Sequence, residues 1–166
     1  MATSSDKQFW GSQFSDRADA FDDSLEYKKL QVYIEGKYKA EDGYELVRHP
    51  RGVRGPDAIL FKDGDPFIHF AFERRGEKNW ATGEFRYKTL HVPAEKDYLM
   101  EWAKEDNAKF VSLHFSHDLS RAFYAAPEVI LNSPIVKTMC KSYNGYTPAN
   151  HRDLPVDKLT TIKFND

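Results

Sequence analysis

Residues 54–75, RGPDAILFKDGDPFIHFAFERR, hold two largely apolar runs on either side of Lys62-Asp63-Gly64-Asp65. An Asp-Gly pair suits a two-residue hairpin turn, where both central residues need positive φ. The flanking runs are rich in aromatic and β-branched residues, so DAILF and PFIHFAFERR are expected to pair as antiparallel strands. Alternation puts Ile68, Phe70 and Phe72 on one face of the second strand and His69, Ala71, Glu73 and Arg75 on the other. Asp57 heads the first strand, and Glu73 lies at the tail of the second. Counting outward from the turn makes these two carboxylates neighbours. Close carboxylates repel unless a cation joins them, and hard oxygen donors with open positions suit Mg²⁺ or Mn²⁺. The plainer reading has Asp57 capping a turn after Pro56 and Glu73 paired to Arg74 or Arg75 at a solvated strand end.

On the N-terminal side, Phe14, Ala18, Phe21, Leu25 and Val32 recur at helical spacing with acids between them, which predicts one amphipathic helix. GYELVRHP, between Gly43 and Pro50, predicts a short strand. On the C-terminal side, GEKNWATGEFRYKT (76–89) reads as a long polar and aromatic loop of the kind that contacts ligands. Trp80, Phe85 and Tyr87 alternate there with Lys78, Arg86 and Lys88, an arrangement that could stack bases or anchor the loop to the core. Pro93 suits the first turn of a helix through PAEKDYLMEWAKEDN, with Leu99, Trp102 and Ala103 buried and Asn107 as C-cap. AKFVSLHFS alternates Val111, Leu113 and Phe115 against polar neighbours. RAFYAAPEVIL reads as a further strand interrupted by Pro127, and the tail as a short helical or irregular stretch with one final strand. Helix, three strands, helix and two strands describe an α/β (α+β) chain with a mixed central sheet flanked by helices.

The 166 residues fit a single domain, with 1–13 as a flexible N-terminus and 14–166 as the folded unit. Hydrophobic content of 40% and charged content of 30% exclude disordered, collagen-like and coiled-coil classes. No apolar run reaches the ~20 residues of a membrane helix, and the N-terminus lacks the pattern of an export signal. With one cysteine, Cys140, the chain is expected to be cytoplasmic, in a reducing compartment. The net charge of -2 hides a polarity: residues 1–47 carry 6 basic and 10 acidic side chains, whereas 48–96 carry 10 and 7. The basic excess therefore falls on the segment that holds Asp57 and Glu73.

GPD opening one strand and an acid-x-base triplet closing the next resemble the PD-(D/E)XK nuclease superfamily, whose αβββαβ restriction-endonuclease-like core matches the inferred element order over about residues 14–130. The resemblance implies a Mg²⁺- or Mn²⁺-dependent endonuclease acting on DNA, with selectivity for DNA structure as one option, and with Asp57 and Glu73 as metal ligands. It also places Arg75 where the superfamily has the lysine that orients or activates the attacking water. Arginine stays protonated and cannot act as a general base, although it can bind a phosphate or stabilise an anion. The superfamily is known to move its lysine, which makes Lys88 and Lys96 candidates, Lys96 being the better placed. Some members add an acid from the first helix; here Asp22, Asp23 or Glu26 could serve.

Arg48, Arg51 and Arg54 precede the motif and, with Lys88, could grip phosphates, although a basic loop is often simply solvated. His114 and His117 face opposite sides of a strand, so a shared metal is not expected, and His91 could touch or cap the site. Two other functions compete with the nuclease. One is a catalytically inactive nuclease-fold module that binds nucleic acid or a protein partner, which Arg75 favours. The other is a carbohydrate- or small-ligand-binding domain, suggested only by aromatic content. A homodimer, a protein partner or the structure of the nucleic acid itself is expected to supply specificity, and no membrane is expected to be involved.

Overall fold

The computed structural model describes residues 25–48, 55–74, 85–142 and 145–164. The hairpin expected around Asp63-Gly64 is present: β2 (Ala58–Lys62) and β3 (Asp65–Arg74) pair antiparallel across a Lys62/Asp65 closing pair. Asp63 and Gly64 both take positive φ, 50° and 86°, as the tight turn requires. An extra residue, Phe67, bulges from β3, so Phe61 faces Pro66 while Leu60 faces Ile68. This one-residue shift sets Ala58 and Leu60 on the same face as Phe70 and Ile68. Without it Ala58 and Leu60 would lie on the face opposite Phe70 and Ile68.

β1 (Tyr44–Arg48) lies outside β2, and β5 (Lys109–Phe115) lies parallel to β3. β6 (Arg121–Ala125) and β9 (Thr160–Lys163) complete a mixed six-stranded sheet of order β1-β2-β3-β5-β6-β9. Helix α1 (Leu25–Lys37) covers one face with Tyr27, Leu30 and Ile34, packed on Ala58, Leu60, Ile68, Phe70, Val111, Leu113 and Phe115. α2 (Asp97–Glu105) covers the other with Leu99, Met100 and Ala103, beside Ala71, Phe110 and Phe123. β5 is therefore enclosed on both sides, and Phe110 through Phe115 are all buried. The order α1, β1, β2, β3, α2, β5 is the αβββαβ succession, with β4 (Thr89–Pro93) inserted before α2.

Several expectations are corrected. Of the stripe assigned to the first helix, Leu25 and Val32 are 52% and 68% exposed. The buried stripe is Tyr27, Leu30 and Ile34, spaced by three and four residues, and its opposite side carries Leu25 and Val32. The remaining residues of that stripe, with all of 1–24, lie outside the described residues. Thr89–Pro93 form strand β4, so Pro93 ends a strand and does not open α2, which begins only after a 3-10 turn, Ala94–Lys96. Pro127 does not interrupt a strand. It opens a short helix, α3 (Pro127–Asn132), where its fixed φ and missing N–H cost nothing. The tail forms β7 (Ile135–Ser142) and β8 (Gly145–Pro155), which with β4 make a second, antiparallel sheet of order β4-β8-β7. The C-cap of α2 is Asp106, and Asn107, expected at that position, follows one residue later at φ 54°.

Candidate active site

β2 stops at Ala58, opposite Phe70, while β3 runs on to Arg74. The amide of Phe72 thus loses its neighbour on that side. The Asp57 side chain takes the place of the missing strand: Oδ2 accepts the Phe72 N–H at 2.7 Å, and the Asp57 N–H donates to the Phe70 carbonyl at 2.8 Å. An uninterrupted count from the turn would leave Asp57 opposite Phe70; the bulge carries it one residue further along β3. Its carboxylate consequently sits against the peptide between Ala71 and Phe72, one residue before Glu73.

The surroundings of Asp57 pull in two directions. The residue keeps solvent-accessible surface, yet protein surrounds the carboxyl closely enough that burial raises its pKa above the usual carboxylate range, and the charge of Glu73 adds to the rise. The Phe72 amide, the Lys96 ammonium and the Arg48 guanidinium oppose the rise. Lys96 ends the 3-10 turn before α2, so the inserted β4 and that turn bring a cation from the far side of the loop to the end of β2. Arg48 closes β1 opposite Ala58 and is 7% exposed, with its guanidinium carbon 5.7 Å from the centre of the Tyr27 ring.

Glu73 stands directly across from His114 in the parallel β3/β5 pair, with Oε2 3.4 Å from His114 Nδ1. His114 is fully buried, and its Nε2 lies 2.9 Å from Ser112 Oγ, two residues back on the same face of β5. Neither Ser112 nor the contact of His114 with Glu73 was expected from the sequence. The available signal was two polar residues at period two, in phase with each other, inside an otherwise apolar strand.

The other candidates are distributed as follows. Glu26, on α1, accepts from Arg74 Nε at 2.6 Å, on the face opposite Glu73; Asp22 and Asp23 lie outside the described residues. So do Arg51, Arg54, Arg75, Lys78 and Trp80. Lys88 is exposed just before β4, and its carbonyl accepts from Val156 N–H. His91 is on β4 beside Asp153, Nε2 to Oδ1 3.1 Å, in the second sheet. His117 is exposed and apart from buried His114. Phe85 is a core anchor, edge-on to Phe123 at 5.2 Å, while Tyr87 is 45% exposed under the Arg86 guanidinium.

Among the described residues no group of three or more His, Cys, Asp and Glu side chains is arranged to hold a metal ion. Two carboxylates nevertheless suit Mg²⁺, which commonly takes one or two from the protein and completes its shell with water and phosphate oxygens. The raised pKa of Asp57 fits that use, because a cation between Asp57 and Glu73 would relieve the repulsion that contributes to it. No helix among the described residues is long and apolar enough to cross a membrane.

No family model matches the chain, and no curated protein matches it. Among solved structures it is similar to Hjc, a Holliday junction resolvase of Archaeoglobus fulgidus, at a TM-score of 0.41 and 11% identity over 84% of each chain.

Proposed function

We propose that this protein is a divalent-cation-dependent nuclease that hydrolyses phosphodiester bonds in DNA. The observation that carries the reading is the Asp57 carboxylate, fixed by the Phe72 amide beside Glu73, with the charges of Lys96 and Arg48 near enough to oppose the rise of its pKa. Asp57 and Glu73 are the residues that would hold Mg²⁺ or Mn²⁺. When bound, such an ion supplies Lewis acidity to the phosphoryl oxygens and makes water easier to deprotonate. Asp57 and Glu73 fix where the scissile phosphate can approach. Lys96, as an ammonium, neutralises charge that builds on the phosphate as the water oxygen bonds to phosphorus, the P–O ester bond breaks and the leaving oxygen gains a proton. Arg48 is held against Tyr27 and acts on Asp57 by its charge. Arg75 adds a further cation without serving as base.

The test is cleavage of supercoiled, linear and branched DNA in Mg²⁺ or Mn²⁺ by wild type, Asp57→Ala, Glu73→Ala and Arg75→Lys. Wild-type cleavage that EDTA and Asp57→Ala abolish, and that Arg75→Lys keeps or raises, supports the reading. Cleavage persisting in EDTA or in Asp57→Ala overturns it. Salt-dependent DNA binding without any cleavage assigns the chain to the catalytically inactive, nucleic-acid-binding class instead.

A further inference from the structure

The face of the six-stranded sheet that carries α1 is only partly covered. A helix with its side chains is about 10–12 Å across, whereas six strands about 4.8 Å apart span about 24 Å. α1 packs mainly on β2, β3 and β5, and Tyr124 of β6 and Ile162 of β9 are left half-buried. An open groove of about 590 Å³ follows α1 from Leu25 to Lys37, with Leu119 and Phe164 as its apolar lining outside the helix. A second cavity, about 170 Å³, shares Tyr33, Lys37 and Phe164 with the groove and reaches Tyr124 and Ile162.

Two properties of the groove specify what fits it. Its apolar lining includes Leu25 and Val32, both exposed. Its charges are of one sign: Lys28, Lys29, Lys37 and Lys163 line it, with no carboxylate among the described lining residues. A complementary occupant is apolar and acidic together. Residues 9–23, FWGSQFSDRADAFDD, hold four aromatic residues, four aspartates and one arginine. The chain passes from them, through Ser24, into Leu25 at the edge of the groove.

The pattern of the segment favours a reversal at that point. Phe14, Ala18 and Phe21 are in helical phase with Leu25 and Val32. A straight extension of α1 would lengthen an uncovered apolar stripe, whereas a chain that turns back lets the two halves of the stripe cover each other. Asp22, Asp23 and Ser24, of types that favour turns and helix N-caps, stand where the reversal is needed. A second copy docked face to face fits less well, because a two-fold contact would set the lysines of the groove against themselves.

We propose that this groove is the docking site of the chain's own residues 9–23, with their aromatic side chains in the groove and their aspartates against its lysines. Direct attachment makes modest affinity sufficient, since a short tether presents the segment at a concentration on the order of 1 mM. At about ten times Kd the segment is docked about nine-tenths of the time, and its amides exchange about tenfold more slowly. Neither Asp57 nor Glu73 takes part, so the docking stands apart from the nuclease reading.

Amide hydrogen exchange of the full chain, read by mass spectrometry over residues 9–23, tests the docking in wild type, Val32→Glu and Val32→Ile. Val32 is 68% exposed, so neither change disturbs the core. Glutamate is a better helix former than valine and can pair with Lys28, four residues before it, so Val32→Glu keeps α1 while setting a carboxylate against the aspartates. The expected result is exchange slowed about tenfold in wild type and Val32→Ile, and returned to the rate of an unstructured chain in Val32→Glu. Unstructured-chain rates in wild type overturn the docking. So does equal slowing in Val32→Glu, because a helix that merely extends α1 is indifferent to the groove. Slowing that fades on dilution, with a dimer in size-exclusion chromatography, assigns the groove to the segment of a second copy and overturns docking within one chain. Should exchange over residues 25–37 show that Val32→Glu loosens α1, Lys163→Glu on exposed β9 replaces it, with the same loss of slowing expected and an unchanged rate overturning the docking.

Discussion

Asp57 and Asp118 show how differently two aspartates of one chain are placed. Asp118 is exposed and accepts from the Ser116 hydroxyl and from both the N–H and hydroxyl of Ser120, bonds that lower its pKa to about 2. Asp57 is also exposed by surface area, but its carboxyl is crowded by neighbouring protein and has one amide donor, and its pKa moves up. The sign of the consequence follows. A carboxyl whose pKa is higher folded than unfolded binds its proton better in the native state, so its contribution to stability falls as pH rises through the window from the ordinary carboxylate range to the raised value. Asp57→Asn, whose carbonyl can still accept the Phe72 N–H, should therefore melt above wild type at neutral pH. The difference should shrink as pH falls below the ordinary range, and melting curves from pH 3 to 8 would check it. A lower melting temperature for Asp57→Asn at pH 7 would contradict the assignment. The sequence located the two strands that carry Asp57 and Glu73, but a turn dipeptide and a period of two alone would set Asp57 opposite Phe70, on the face away from Glu73; the bulge at Phe67, which no local signal announces, turns it to the Glu73 face. His114 was not legible either, because its place beside Glu73 depends on the parallel register of β3 with β5, a pairing that no local signal specifies.

At the level of elements, the lock between α2, α3 and β8 is one side chain. Arg152 donates to Asp97 at 2.7 Å from Nη2, with Nε 3.1 and 3.2 Å from the two carboxylate oxygens. Its Nη1 reaches the carbonyls of Ile130, Leu131 and Ser133 at 3.4, 3.3 and 3.1 Å. These carbonyls belong to the end of α3, and that of Ile130 also accepts the Ser133 N–H at 3.1 Å. Because Asp97 opens α2 directly after Lys96, the same side chain anchors the element that brings Lys96 to the site. Arg152→Ala should cost about 2 kcal/mol, in the range of hydrogen bonds to charged groups, and lower Tm by about 4–8 °C for a chain of this size. Calorimetry would measure it, and a loss under 1 °C would show the lock to be dispensable. The hairpin of β2 and β3 was readable from Asp63-Gly64 alone. β4 and the β7/β8 hairpin were not: β4 is five residues long and finds its partner only at Asp153 and its neighbours, far along the chain. The Pro127 error has a similar origin, since proline opens helices as readily as it ends strands.

For the molecule as a whole, a cation that binds only the folded state should stabilise it by mass action. At a concentration about 100 times its Kd, Mg²⁺ or Mn²⁺ should contribute about 2.7 kcal/mol, or a rise of about 5–10 °C in Tm. That rise should vanish in Asp57→Ala and Glu73→Ala, and scanning calorimetry with and without the ion would reveal it. The six-stranded sheet poses a different question. Its outermost strand, β9, pairs with β6 although two strands of the second sheet, β7 and β8, intervene in sequence. Phe164, just after β9, stacks on Phe115 at 5.6 Å and meets Tyr33 at 5.7 Å, so the closing segment also seals the core under α1. Removing residues 159–166 should leave the β6 edge bare and produce aggregation, read as loss of the monodisperse peak in size-exclusion chromatography. The same topology sets a schedule during synthesis. A ribosome adding about 5–20 residues per second needs roughly 2–7 s to travel from the end of β6 to the start of β9. Throughout that interval the nascent sheet has its carboxylate-bearing strands already made and one flank unprotected, so the moment of greatest exposure to neighbouring nascent chains falls late, after the candidate site has been translated.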